Sequence, residues 1–262
     1  MELEAILKGE GIEKSLQEVG LDFSIEKDSW YHRLIFPLKD KKEIDHILKT
    51  LISHLSEHIE ILNTSLIYEQ DHLELPHGYK VMFVHPGESP SIREKEIVLK
   101  RGLAFGGYHP TTVMCMELLI DIFREHDDLK NVLDLGTGSG ILAIMAKKLG
   151  AGQVCAVDLD FQSCTEARYN VMLNDSDGAI KIICGNEDCI KANFDFIMVN
   201  IIFHTLERLI LDLKSRLTHN GYLIISGFLS ADQEKFANLL GKNGVLSTKE
   251  KEGWGAILWQ KE

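Results

Sequence analysis

Asp134-Leu-Gly-Thr-Gly-Ser-Gly140 combines an acid with three glycines at alternate positions. Glycines let a backbone turn sharply and approach a ligand with no Cβ in the way. A dinucleotide-binding turn carries GxGxxG, whose third glycine packs helix on strand. Here Ile141 follows Gly140, so the spacing is GxGxG, and Asp134 precedes the first glycine by two. A carboxylate in that place repels a pyrophosphate and suits the ammonium end of S-adenosylmethionine. On this reading Asp134, Gly136, Thr137 and Gly138 bind that cofactor. The alternative is a glycine-rich turn of no function; the apolar strand before it, the helix after it and the acid together disfavour that.

Val157-Asp158-Leu159-Asp160 closes an apolar run 18 residues past Gly140. An acid at such a strand end can accept hydrogen bonds from both hydroxyls of a ribose. Its bland alternative is a helix N-cap. Two acids are present, so Asp158 is assigned to the ribose and Asp160 to the cap. After the next apolar run comes Gly185-Asn186-Glu187-Asp188. Methyltransferase domains commonly place a polar residue here against the adenine amino group. Asn186 is the candidate, with a loop cap as its competing role. Phe194 to Asn200 then ends on an amide that would sit beside a transferring methyl group. Asn-Pro-Pro-Tyr there would mark methylation of nucleic-acid amines or a glutamine amide, but Ile201 and Ile202 replace the prolines.

Two further segments hold reactive residue types. Arg101 to Thr112 (RGLAFGGYHPTT) brings glycines, an aromatic, a histidine and two hydroxyls ahead of an apolar helix. Without a ligand, Pro110 merely starts that helix and His109 is exposed. His54-Leu-Ser-Glu57-His58 fits HxxEH, in which two histidines share a helix face and can bind zinc. Zinc chemistry also needs a third ligand and a cleft. With His46 two turns earlier, a solvated histidine-rich face is the favoured reading, and no metal is expected.

These residues need elements to hold them. From residue 95, strands at 132–135, 153–158, 180–184, 194–200 and 222–226 alternate with helices at 141–149, 161–174, 205–217 and 231–240. Residues 245–248 and 256–259 are expected to close the sheet as an antiparallel pair. Such alternation predicts an α/β, doubly wound, mostly parallel seven-stranded sheet with helices on both faces. Ligands in these sheets bind beyond the C-terminal strand ends. Ahead of it, the first ~25 residues read as a short helical or irregular lead-in. Residues 30–38 are β-rich, the run from Asp40 has helix spacing through Leu55, and 59–68 and 79–84 read as strands. This small α+β domain is assigned to residues 1–90 and the catalytic domain to 91–262, with a turn-rich boundary at His85 to Pro90.

Hydrophobic content of 45% and charged content of 26% fit a globular chain. The basic start and apolar run of a secretory signal are not expected here, and no apolar stretch nears the ~20 residues of a membrane span. Five cysteines without a CxxC pair read as reduced, mostly buried thiols of a cytoplasmic protein. The net charge is −12. Residues 1–90 hold 9 Lys/Arg and 17 Asp/Glu, giving −8, and residues 91–262 hold 19 and 23, giving −4. An acidic front third disfavours direct nucleic-acid binding and suits a basic partner; solubility alone is the plainer reading of a charge excess.

The segments GLAFG at 102–106, HPTT at 109–112, GSGIL at 138–142 and VNII at 199–202 together carry a family resemblance. In order and spacing the chain resembles the bacterial ribosomal-protein methyltransferases of the PrmA type, over its catalytic domain. The resemblance implies a class I methyltransferase fold with S-adenosylmethionine as cofactor. It implies methylation of lysine side chains and the N-terminal amine of the large-subunit protein at the ribosomal stalk base. A small front domain would hold that basic ribosomal protein. It further implies that Phe105, His109, Thr111 and Thr112 line the cofactor and substrate cleft. Asn200 would face the accepting nitrogen, with His109 or water taking the proton. The chain departs from the family pattern at Gly107-Tyr108, one residue short, and at Phe203-His204, where small residues are usual. The rival functions are a small-molecule or other protein-lysine methyltransferase, and a non-catalytic cofactor-binding regulator. Intact Asp134, Asp158 and Asn200 weigh against the last. Oligomeric state has no signature in the sequence.

Overall fold

The structure, a computed structural model, describes residues 2–9, 12–16, 19–27, 32–39, 43–55, 59–67, 72–84, 91–100, 109–126, 129–174, 176 and 178–262. Two compact units divide the chain, Met1–Asp71 and His72–Glu262.

In the first unit the elements are β1 (Glu2–Gly9), α1 (Ile12–Leu16), β2 (Ser24–Lys27), β3 (His32–Pro37), α2 (Glu43–His54) and β4 (Ile59–Ile67). Four antiparallel strands form one sheet in the order β2-β3-β1-β4. The lead-in expected to be helical or irregular does hold the short helix α1, but it opens with a strand, and β1 lies inside the sheet. Leu3, Ala5 and Leu7 are buried at every second position, the period of a strand with one face on a core. Leu34, Phe36, Ile47 and Leu51 are among the residues that join that core. The helix expected after Asp40 is α2; Asp40 itself lies outside the described residues. So do Glu57 and His58 of the HxxEH segment. His54 is exposed, with Nδ1 2.8 Å from the Thr50 carbonyl. Among the described residues no cluster could hold a metal ion.

The second unit opens with β5 (His72–Glu74), β6 (Lys80–Val84) and β7 (Glu96–Lys100). Because β6 pairs in parallel with β7, residues 72–84 group with this unit and not with the front region to which the sequence assigned them. There follow α3 (Pro110–Glu125), β8 (Asn131–Leu135), α4 (Ile141–Lys148), β9 (Gln153–Asp158), α5 (Phe161–Leu173), β10 (Ile180–Cys184), β11 (Phe194–Asn200), α6 (Phe203–Ser215), β12 (Leu217–Leu229), α7 (Gln233–Leu240), β13 (Val245–Lys251) and β14 (Trp254–Gln260). Seven strands run β10-β9-β8-β11-β12-β14-β13. The first five are parallel; β14 runs against them and pairs with β13 as the closing antiparallel pair that the sequence pattern predicts.

Residues of β11 alternate between two cores. Phe196 and Met198 join the core under α3 and α4, while Ile197 and Val199 join the one under α6 and α7. That is a sheet covered on both faces. Strand order reverses at β8, between β9 and β11, and a crevice opens beyond the carboxyl ends of those strands. No helix among the described residues is long and apolar enough to cross a membrane. All five cysteines are free, but only Cys115 and Cys164 are buried; Cys184 and Cys189 are exposed, which corrects the expectation of mostly buried thiols.

Candidate functional site

At the end of β8 the chain must reverse tightly into α4. Gly136, Gly138 and Gly140 all adopt positive φ, at 76°, 54° and 83°, which a side chain would strain. Amide donors of this loop are tied down: Gly136 and Thr137 donate to the Val157 carbonyl at 2.8 and 3.1 Å. Gly138 donates to Asp158 Oδ2 at 2.8 Å.

Beyond the loop lies a cavity of about 470 Å³, within the range of small-molecule sites. Seven of the residues expected from sequence line it: His109, Thr111, Gly136, Gly138, Asp158, Asn186 and Asn200. Three others stand behind the wall. Asp134 is 1% exposed and braces the loop from beneath, its Oδ2 accepting from the Thr137 hydroxyl at 2.6 Å and the Ala143 amide at 3.1 Å. The expected direct contact of Asp134 with an ammonium group is therefore replaced by a supporting role. Among the described residues its Oδ1 has no partner, and burial pushes its carboxyl up to about 7 against the lowering effect of those two bonds. Thr137 is likewise buried, with its hydroxyl turned to Asp134. Thr112, 1% exposed, contributes through Asn200. Phe105 and the Gly107-Tyr108 departure lie outside the described residues.

The two acids after β9 divide their work. Asp158 faces the cavity, with Oδ1 accepting from the Asp160 amide at 3.0 Å. Asp160 caps α5 through the Ser163 amide at 2.7 Å and hydroxyl at 2.8 Å. Partial burial opposes the Asp160 charge, but these bonds outweigh it and hold the carboxyl below its ordinary range. Asn186 takes the capping role weighed for it and also faces the cavity. It accepts from the Asp188 amide at 3.2 Å as cap of a single 3₁₀ turn, and it lines the cavity. Beside it Glu187 and Arg208 form a 2.7 Å ion pair across the wall.

Asn200 ends β11, and its Nδ2 donates to Thr112 Oγ1 at 3.1 Å. That bond fixes the amide and leaves the carbonyl oxygen as its acceptor group. His109 is the N-cap of α3, with Pro110 in the first turn as the plain reading anticipated, yet the ring is partly buried. Nδ1 accepts from the Thr111 amide at 3.4 Å and lies 2.8 Å from the Thr111 hydroxyl. Desolvation lowers the His109 pKa, partly offset by the charge of Glu252.

Sequence reasoning missed Trp254, Ile201 and Gly227. Trp254 lines the cavity and meets His109 edge-on at a centroid distance of 5.1 Å. It follows Glu252 and Gly253, both at positive φ, in the two-residue turn joining β13 to β14. Gly227, at φ 97°, has no room for a Cβ: that atom would overlap the Ile201 carbonyl. A Cβ on Gly136 would strike the Ile201 side chain. Ile201 is thus gripped between two glycines, directly after Asn200.

The donor set suits an uncharged or cationic ligand carrying a diol. Asp158, the Arg208-paired Glu187, the two amides Asn186 and Asn200 and glycine backbone face the cavity together with Leu159 and Ile202, each 72% exposed. Of the described cavity residues, the guanidinium of Arg208 is already paired with Glu187, so nothing here matches the cationic cradle of a polyphosphate.

Comparison with known proteins gives the same direction. Residues 76–262 match the model of the family "Ribosomal protein L11 methyltransferase (PrmA)". A ribosomal protein L11 methyltransferase of Geotalea uraniireducens is 34% identical over 194 residues, covering 69% of this chain and 62% of that protein. One of Pelobacter propionicus is 41% identical over 162 residues, covering 60% and 52%. The chain therefore spans only half to two thirds of the length of these relatives. A crystal structure of ribosomal protein L11 methylase from Lactobacillus delbrueckii subsp. bulgaricus superposes with a TM-score of 0.63 at 31% identity, over 74% of this chain and 100% of that one. With its seven-stranded class I methyltransferase sheet and a family match over residues 76–262, the chain belongs to the ribosomal protein L11 methyltransferase (PrmA) family.

Proposed function

We propose that the chain is an S-adenosylmethionine-dependent N-methyltransferase acting on lysine side chains or the N-terminal amine of ribosomal protein L11. The observation that carries this reading is one cavity holding Asp158, Asn186 and the glycine loop on one side and Asn200 with His109 on the other. The cofactor supplies an activated methyl on a sulfonium, so the protein's task is positioning and exclusion of water. Asp158 accepts from the ribose hydroxyls, and Asn186 meets the adenine edge. Gly138 lets the backbone approach closely. Asn200, held by Thr112, offers its carbonyl to the acceptor nitrogen.

That nitrogen must be neutral to react. A lysine of pKa ~10.4 needs a proton removed, whereas an α-amine near ~7.7 needs little help. Burial against apolar walls disfavours the charged amine. His109, kept toward its neutral form by desolvation, is the proposed proton acceptor. With Nδ1 accepting from Thr111, the neutral ring carries its proton on Nε2, and a proton reaching Nδ1 passes the Thr111 hydroxyl.

The front unit, Met1–Asp71, is proposed to recognise the basic protein substrate without contacting nucleic acid, in the cytoplasm. Incubation with methyl-labelled S-adenosylmethionine and a ribosomal extract tests the whole reading. Label in a small basic protein that mass spectrometry identifies as L11 is expected. Label only in a metabolite, or cofactor binding without any transfer, would overturn it.

A further inference from the structure

We infer that Asn170 is a positioning residue of the cofactor site: one buried amide that holds the glycine loop against β7. The inference rests on the proposed cofactor site. Helix α5 carries Ala167 and Asn170, and Asn174 as its C-cap, at a spacing that puts all three on one face. Asn170 is fully buried. Its Nδ2 donates to the Ser139 carbonyl at 2.9 Å, and its Oδ1 accepts from the Lys100 amide at 2.9 Å. One side chain thus joins residues 31 and 70 positions away in the chain.

Asn174 bonds the strand and its own helix but not the loop, its Nδ2 also donating to the Asn170 carbonyl at 2.7 Å. Its Oδ1 accepts from the Val98 amide at 2.9 Å and its Nδ2 donates to the Val98 carbonyl at 2.6 Å. The two asparagines therefore stand in for a neighbouring strand along one edge of β7, whose other edge pairs with β6. Buried backbone groups need such partners. The difference between them is Ser139. This residue lies between Gly138, whose amide binds Asp158, and Gly140, where a Cβ would press on Ala167 of α5 at 3.2 Å. Freeing the Ser139 carbonyl lets the loop relax from the shape that presents Gly138 to the cavity. Lost preorganisation of this kind weakens binding without removing any contact to the ligand.

Paired substitutions separate this role from plain stability. Asn170→Asp keeps the acceptor for Lys100 but sets a carboxylate against the Ser139 carbonyl. Asn174→Asp makes the same chemical change on the same helix, away from the loop. S-adenosylhomocysteine affinity is measured by calorimetry well below the melting temperature of each protein. Both variants are expected to melt earlier, while Asn170→Asp binds about tenfold more weakly and Asn174→Asp stays within about twofold of the parent, the scale of one buried hydrogen bond lost. Equal losses in the two variants, or parental affinity in Asn170→Asp, would overturn the inference. Failure of the unsubstituted protein to bind S-adenosylhomocysteine would instead sink the cofactor reading. Should Asn170→Asp not fold, amide exchange on the unsubstituted protein decides. The ligand is expected to slow exchange at Lys100 together with Gly138, and an unaltered Lys100 amide refutes the tie.

Discussion

The side-chain amide of Asn200 donates to the Thr112 hydroxyl at 3.1 Å, joining the end of β11 to the first turn of α3. A strand end and a helix start 88 residues apart are locked at the point where the acceptor nitrogen is proposed to sit. Alignment of a lone pair with the sulfonium methyl matters mainly at the transition state. Asn200→Ala is expected to lower the single-turnover rate by on the order of a hundredfold, as for loss of one oriented polar group in a closed site. Cofactor affinity and melting temperature should stay near parental. Thr112→Val, which removes only the tether, should give a smaller loss of the same kind. A rate loss fully tracked by lost binding would remove Asn200 from the acceptor site.

Asp158→Ala removes a charged acceptor from the proposed ribose site. Hydrogen bonds to charged groups contribute ~1.5–3 kcal/mol each, so affinity for S-adenosylhomocysteine should fall more than tenfold. Part of that loss arises through the Gly138 amide, which Asp158 also holds. Calorimetry returning a parental dissociation constant would exclude Asp158 from the site.

Division of labour between the two units predicts that residues 72–262, expressed alone, keep cofactor affinity and lose methylation of L11. The cut belongs at 72 because β6 is paired along β7. Full activity toward L11 in that shorter chain would refute the proposed role of the front unit.

Local pattern made most of the second unit legible. The strands 153–158, 180–184 and 194–200 are contiguous runs dense in apolar residues, and each lies where expected. Asp158 and Asp160 divided as their places at a strand end and a helix start required. What stayed hidden depends on distant chain. Gly227 looks like any glycine after a strand until Ile201 is seen in its Cβ position. Trp254 reaches the cavity only because β14 folds back beside β12. Asp134 has the right type and spacing for ligand contact, but whether it faces the cavity or the underside of the loop is a matter of packing. β1 was missed because three apolar residues alternating near a chain start are a weak local signal.

Asp134 makes stability depend on pH with a definite sign. Its carboxyl is raised from 3.8 to about 7 in the fold. Between those values the folded state holds a proton that the unfolded chain has lost, so stability falls as pH rises from about 4 to about 7 and levels off above. His109 works the other way: its folded pKa is depressed, and its share of stability is lost as pH drops through the ordinary histidine range. The comparison must therefore be between proteins. Asp134→Asn should flatten the decline seen in the parent between pH 5 and 8 by urea unfolding. An identical slope in both would show that Asp134 is ionised throughout.

Gly227→Ala tests the grip on Ile201. At φ 97° an alanine is strained, and its Cβ would overlap the Ile201 carbonyl, a backbone atom that no rotamer change can move aside. Either β12 or the segment after Asn200 must shift. β12 is paired on both edges, with β11 and β14, whereas Ile201 and Ile202 lie between β11 and α6. The shift is therefore expected in Ile201, and it carries Asn200 away from Thr112. The outcome should be a stability loss of about 1–3 kcal/mol, together with a fall in single-turnover rate comparable to that of Asn200→Ala. Ile201→Ala separates the two effects. It removes the side chain that lies over Gly136 but leaves the carbonyl beside Gly227, so the segment keeps its path and the rate should change far less than in Gly227→Ala. A Gly227→Ala protein that is less stable but turns over at the parental rate would mean that the path of Ile201 does not set the position of Asn200.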